Sequence, residues 1–215
     1  DHLTGDAVHL PGRSLPSSHG PVICTGTGPN SIGEAMVRAL LAQGRHVITC
    51  VSTLTDPRRR RFRRIYQEHA RAGAILEVAP VRQGARDDVH AFATWIAGRE
   101  EISQPVLLPF GAIGMNGLLQ DVDEQYLRAL LVNVIGVEML IGAFAQRWAS
   151  RPTGDRIHVV LPLSPNLGHM GGDGVYGETK AALQVLLAKW RSEPLLHART
   201  SMIGAHIGWV RGTGL

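Results

Sequence analysis

Six short apolar runs punctuate the chain, with helical periodicity between them, and this alternation constrains the fold more than any other feature. The runs cover 21–26 (PVICTG), 46–52 (HVITCVS), 74–81 (AILEVAPV), 104–110 (QPVLLPF), 156–163 (RIHVVLPL) and 200–208 (TSMIGAHIG). Most are continuous rather than alternating, the pattern of strands covered on both faces and hence of a parallel sheet. Between them, 31–44 carries Ile32, Met36, Leu40 and Leu41 on one face and stops at Gly44. The segment 56–73 opens with Asp56 as helix cap and Pro57 at the first helical position, and 85–98, 121–150 and 171–194 supply the other helices. Strand–helix alternation throughout predicts a Rossmann-like, doubly wound parallel sheet in a three-layer α/β/α domain. Residues 1–20, rich in Pro, Gly, Ser and His, read as a linker, and 21–215 as the domain. Because the sequence stops just after the sixth run, the domain is expected to lack its C-terminal strand and helix.

Composition narrows the function classes. Hydrophobic residues make up 44% and charged residues 19%, as in ordinary soluble globular proteins. No apolar run is expected to approach the roughly 18–20 residues of a membrane span. Cys24 and Cys50 sit inside apolar runs as small buried hydrophobes, which suits a reduced, cytoplasmic compartment. No Cys or His spacing matches a zinc site, so no metal is expected. The net charge of +4 owes much to the cluster DPRRRRFRR at 56–64. No second basic patch interleaved with aromatics accompanies it, so nucleic-acid binding is not expected.

The first strand runs into TGTGPNSIG, Thr25 to Gly33, and then a helix. Glycines in such a turn let backbone N–H groups approach a pyrophosphate, and the helix start adds a favourable dipole. An NAD-selective site usually places an Asp or Glu at the end of the second strand. Here Ser52 and Thr53 occupy that place and Arg58 to Arg61 follow. Cations in a helix's first turn oppose its dipole at roughly 0.3–1 kcal/mol each, which a bound phosphate would offset. Ser52 with one or more of these arginines therefore reads as a partner of an NADP 2′-phosphate; a solvated basic helix start is the competing reading.

Further along, SPNLGHMGGDGVYGETK places Ser164 twelve residues before Tyr176 and Lys180 four after it. A Tyr-x-x-x-Lys pair also arises by chance in many helices, so the pair alone decides nothing. Together with the Thr-Gly-rich loop and Asn133 in the long fourth helix, however, it resembles the short-chain dehydrogenase/reductase family. The stretches LPFGAIGMNG, LPLSPNLGHMGGDGVYGETK and IGWVRGTGL resemble, more narrowly, the β-ketoacyl reductase domain of type I fatty acid synthases of the fungal and actinobacterial kind. Departures from the general family pattern are visible. The glycine loop is one residue longer than usual, with Ser31 where the middle glycine falls. Phe110-Gly111-Ala112-Ile113 replaces the Asn-x-Ala-Gly element. Ile207-Gly208 replaces Pro-Gly, and the Ser164–Tyr176 spacing is one residue short of the commoner thirteen. Each departure also resembles the synthase branch.

The resemblance implies roles. Tyr176 is the acid, Lys180 lowers its pKa and binds the nicotinamide ribose, Ser164 holds the carbonyl oxygen, and Asn133 holds a water that links Lys180 to solvent. An Asn on the apolar LLVNVIGVEML helix also suggests a local distortion there. The cofactor is NADPH, held by Thr25, Gly26, Gly28, Ser31, Ile32, Gly33, Ser52, Thr53, Arg58, Phe110, Gly111, Ala112, Gly208 and Val210. The substrate is a 3-oxoacyl group on an acyl carrier protein. The partners are that carrier domain, the other synthase domains and further copies of the chain as a homo-oligomer. A basic surface would help to dock an acidic carrier. The glycine-rich loop before Tyr176 is expected to be mobile and to flank the acyl entrance, with His169 and Met170 as substrate contacts. A dehydrogenase acting on another carbonyl or alcohol, and an inactive NADP-binding structural module, remain as alternatives.

Overall fold

The computed structural model describes residues 20–208 and Val210. The 1–20 linker, all but its last residue, and most of the IGWVRGTGL motif lie outside the described residues. Six parallel strands, β1 (Val22–Cys24), β2 (His46–Val51), β3 (Ile75–Pro80), β4 (Val106–Leu108), β5 (Ile157–Leu163) and β6 (Thr200–His206), form one sheet in the order β3-β2-β1-β4-β5-β6. All six lie within the apolar runs. β1 and β4 shrink to three residues each, and they are the central pair, with Val22 opposite Val106 and Cys24 opposite Leu108. The order reverses between β1 and β4, so a crevice opens above their carboxyl ends, where doubly wound sheets take ligands.

Successive strand residues feed opposite layers. Val22 and Cys24 of β1 pack with α1 (Ile32–Ala42) and α2 (Asp56–His69) through Val37, Leu41, Phe62 and Ile65. Ile23 packs on the other face with α3 (Arg86–Ala97), α5 (Gly136–Trp148) and α6 (Tyr176–Ser192) through Phe92, Ile96, Phe144 and Leu183. Both cysteines are free and buried in these layers, and burial pushes the Cys24 thiol up to about 12, so neither is a reactive thiolate. Among the described residues no group of three or more His, Cys, Asp or Glu could hold a metal ion.

Several boundaries correct the sequence reading. Thr55, not Asp56, caps α2; Asp56 is the first helical residue, where its charge complements the dipole, and Pro57 follows within the first turn, where its missing N–H costs nothing. The fourth helix is α4 (Glu124–Leu130), a π segment at Leu131–Ile135, and α5, in one continuous run. That run, Glu124–Trp148, has 25 residues and is long and apolar enough to cross a membrane, contrary to the expectation that no segment would be. Its α5 part supplies Val137, Leu140, Ile141, Phe144 and Trp148 to the core, so core packing explains the apolarity of that part, whereas Leu127, Leu131 and Ile135 of the preceding part are exposed. The helix expected over 171–194 starts only at Tyr176, because Gly172 (φ 82°) and Gly174 (φ 61°) adopt left-handed turns. A short helix, α7 (Pro194–Arg199), follows it and has no counterpart in the sequence reading.

Candidate functional site

A cleft of about 690 Å³ lies at the β1/β4 switch point. Its lining brings together Gly26, Ser31, Ile32, Gly33, Phe110, Ala112, Ser164, Tyr176, Lys180, Gly208 and Val210, all singled out from sequence. Thr25, Gly28, Gly111, Asn133, Ser52, Thr53 and Arg58 are not on that wall, and each has a definite place elsewhere.

The glycine loop is shaped by steric exclusion. Gly26 has φ 69°, and a Cβ there would stand 2.4 Å from the Phe110 carbonyl oxygen. A Cβ on Gly33 would stand 2.5 Å from the Gly26 carbonyl oxygen. Ser31 caps α1: its Oγ accepts from Glu34 N at 3.1 Å and lies 2.8 Å from the Gly26 carbonyl, which draws the loop onto the helix start. The extra loop residue is accommodated by Asn30 in a left-handed conformation (φ 58°). Gly28 is exposed, with open space where a side chain would be. The cradle therefore fits a pyrophosphate at a helix N-terminus.

At the end of β2, Arg58 donates to the Ser52 hydroxyl at 3.3 Å and to the Thr53 carbonyl. The structure thus gathers the three residues expected there. Arg61 points elsewhere, pairing with Glu34 and donating to the Thr27 carbonyl at 2.7 Å. Glu34, buried on α1, also pairs with Arg38, so this cluster clamps α1, α2 and the glycine loop together.

The reacting end of the cleft is built from β5, α6 and the π segment. Ser164 follows the last residue of β5 and is buried; its Oγ accepts from Asn166 N at 3.1 Å, which leaves its hydroxyl proton available. Tyr176 opens α6, and the Lys180 ammonium lies 5.2 Å from the centre of its ring. Lys180 is only 5% exposed and donates to the Pro162 carbonyl at 2.9 Å, so its head is tied to the strand that Ser164 follows. Burial pushes Lys180 down to about 8 and pushes Tyr176 above its ordinary value. The expected lowering of the tyrosine's pKa by Lys180 therefore does not appear: desolvation is the cause of the shift in both groups, and it favours their neutral forms.

Asn133 is buried at the middle of the π segment, as the distortion expected there requires. Its Oδ1 accepts from Ile113 N at 2.7 Å and its Nδ2 donates to the Ile113 carbonyl at 3.0 Å. The side chain is thus spent on holding the loop after β4. The loop before α6 is braced rather than loose. Asp173 accepts from Asn166 Nδ2 at 2.7 Å and from Gly177 N at 3.0 Å, and backbone bonds join Gly172 and Gly174 to Gly117. Met170 lines the cleft, whereas His169 is exposed and is not among the lining residues.

Sequence reasoning missed the residues that support this wall. Asp173 could have been found as a carboxylate just upstream of a helix start: it lies two residues before the N-cap Val175 and accepts from Gly177 N in the first turn of α6. Thr179, buried and 3.4 Å from Asn133 Nδ2, gave no signal beyond its place in the Tyr-Gly-Glu-Thr-Lys run. Gln83, in the loop after β3, gave none.

No protein-family model matches the chain. It is 39% identical over 199 residues, 90% of its length, to a fatty acid synthase, apf5, of Gibberella fujikuroi, and covers 12% of that protein. It is 38% identical, again over 90% of its length, to the fatty acid synthase subunit alpha of Cochliobolus carbonum, and covers 13% of it. The chain thus spans about one eighth of the length of these relatives. Among solved structures, a short-chain type dehydrogenase/reductase from Mycobacterium ulcerans superposes with a TM-score of 0.70 at 18% identity, covering 89% of this chain and 68% of that one. A metagenomic short-chain oxidoreductase in complex with NADP superposes with a TM-score of 0.67 at 21% identity, covering 89% and 83%. By sequence the chain is similar to a segment of fungal fatty acid synthases, and its fold is that of the solved short-chain dehydrogenase/reductase structures.

Proposed function

We propose that this domain is an NADPH-dependent reductase of 3-oxoacyl thioesters carried on an acyl carrier protein. The observation that carries the reading is the convergence of Ser164, Tyr176 and Lys180 with the glycine cradle in one cleft. The fatty acid synthase relatives support the substrate class, and the NADP held by one structural neighbour supports the nucleotide class. NADPH, when bound, supplies the hydride for the carbonyl carbon. The chain's own residues do the rest. Gly26, Gly33 and the capped α1 start receive the pyrophosphate, and Arg58 with Ser52 receives the 2′-phosphate. Phe110, Ala112, Gly208 and Val210 wall the nicotinamide end.

Ser164, its Oγ already accepting from Asn166 N, turns its proton toward the substrate carbonyl oxygen. Tyr176, held protonated by burial at neutral pH, gives its proton to the same oxygen. Lys180, charged below about pH 8, stabilises the tyrosinate left behind. The tyrosine is then reprotonated through Lys180 and a water held at the Asn133 main-chain carbonyl, since the Asn133 side chain is occupied by Ile113. Met170, on the cleft wall, contacts the acyl chain.

A substrate panel tests this reading. The full-length polypeptide is supplied with NADPH or NADH and with a short 3-oxoacyl thioester, a sugar or a steroid ketone, and loss of reduced nicotinamide is followed. Fast turnover of the thioester with NADPH is expected. Preference for another carbonyl would replace the substrate assignment, and tight NADPH binding without any turnover would leave an inactive nucleotide-binding module.

A further inference from the structure

The wall behind the cleft depends on one buried side chain that none of the roles above uses. Gln83 lies in the loop between β3 and α3, and each of its polar atoms is engaged. Its Nε2 donates to the Val132 carbonyl at 2.8 Å and to the Gly111 carbonyl at 2.9 Å. Its Oε1 accepts from the Thr25 hydroxyl at 2.6 Å, and Thr25 Oγ1 in turn accepts from Gly111 N at 2.8 Å. Both ends of the Gly111 peptide unit are thereby held, between cleft-lining Phe110 and Ala112.

The bond to Val132 has a particular meaning. In an α-helix the Val132 carbonyl would accept from Gly136 N. Here Gly136 N bonds the Leu131 carbonyl, one residue further back, as a π turn requires. The Val132 carbonyl has lost that partner, and a buried carbonyl must find another. Gln83 supplies it. The neighbours are cut to fit: a Cβ on Gly136 would stand 2.6 Å from the Gln83 main-chain oxygen, and a Cβ on Gly111 would stand 2.6 Å from Gln83 Oε1. Closing the π turn to α geometry would rotate the residues on one side of it by about 100° around the axis, and Asn133 sits at its centre.

We propose that Gln83 is a positioning residue: it replaces the hydrogen bond that the π turn removes, and so fixes Asn133 and the Gly111 floor of the cleft in one register. This rests on the reductase reading in that it acts through Asn133. The test is a double-mutant cycle in the full-length polypeptide, with Gln83→Met, Asn133→Ala and both together. Gln83→Met keeps length and removes both donors. It is expected to lower kcat about ten-fold alone and less than about two-fold in the Asn133→Ala background. An equal factor in both backgrounds would reduce Gln83 to ordinary packing. If Gln83→Met does not fold, the cycle is run with Gln83→Glu, which keeps the shape and the acceptor. Its kcat relative to wild type is expected to rise as pH falls, because the protonated acid regains one donor; a flat ratio overturns the proposal. Wild type without any turnover would remove the reductase reading instead. The Gln83 claim is then decided by hydrogen exchange: faster exchange confined to 131–136 and 110–113 in the variant upholds it, and unchanged exchange there rejects it.

Discussion

Lys180 sets the pH behaviour expected of the site. A free enzyme that needs its ammonium should lose kcat/KM as pH rises through about 8, the value to which burial brings this lysine. A pH–rate profile of wild type should show that limb, and the residual activity of Lys180→Met should lack it. The same shift has a consequence for stability. Below about pH 8 the lysine is protonated in both folded and unfolded chains and contributes no pH dependence. Between about 8 and the ordinary 10.5 the unfolded chain holds a proton that the folded chain has released, so stability rises with pH. Melting curves across that window should show wild type gaining on Lys180→Met; parallel curves would deny the buried, perturbed lysine. Arg58 and Arg61 separate in the same way. Arg58 lies against Ser52 and Thr53, while Arg61 is committed to Glu34 and Thr27. Arg58→Ala should cost about ten-fold or more in kcat/KM with NADPH and little with NADH, and Arg61→Ala should weaken both. Sequence could nominate the arginine cluster but not choose within it, because the choice depends on which side of α2 each guanidinium leaves.

At the scale of elements, the glycine loop and the π segment do opposite things with the backbone. The loop removes side chains so that main chain can approach main chain. Gly26→Ala would place a Cβ 2.4 Å from the Phe110 oxygen in a left-handed conformation. It should lose about 1 kcal/mol or more in urea unfolding together with nucleotide binding; retained binding would show that the loop opens freely. The π segment instead adds a residue to a helix and compensates through Gln83 and Ile113. The loop was legible in the sequence because Thr-Gly-x-Gly between a strand and a helix is a local signal. The distortion at Asn133 was legible because a polar residue interrupts an apolar stripe. Gln83 was not, since its three partners come from residues 25, 111 and 132, brought together only by the fold. The loop 165–174 was expected to be mobile on its glycine content, yet Asn166 and Asp173 brace it through bonds that composition does not reveal.

For the whole molecule, the order β3-β2-β1-β4-β5-β6 decides where everything else can act. It puts the carboxyl ends of β1 and β4 beside each other, and from there the cradle, the β5 end and α6 reach one cleft. The strands were readable from their apolar runs because most are buried on both faces, although β6 is largely exposed beyond Met202. The α7 helix was not, since six residues that begin with a proline leave too short a pattern. The 25-residue helix reads as a membrane span by composition, and its α5 part as a core element by packing, a distinction available only once its neighbours are known. The central claim is that this single cleft both holds the nucleotide and performs the proton transfer at Tyr176. The most direct measurement compares wild type with Tyr176→Phe in the full-length polypeptide, for NADPH affinity by fluorescence and for single-turnover reduction of a short 3-oxoacyl thioester. The account predicts an unchanged affinity and a rate at least about a hundred-fold lower. Equal rates in the two proteins would remove Tyr176 from the chemistry and with it the reductase reading of the cleft.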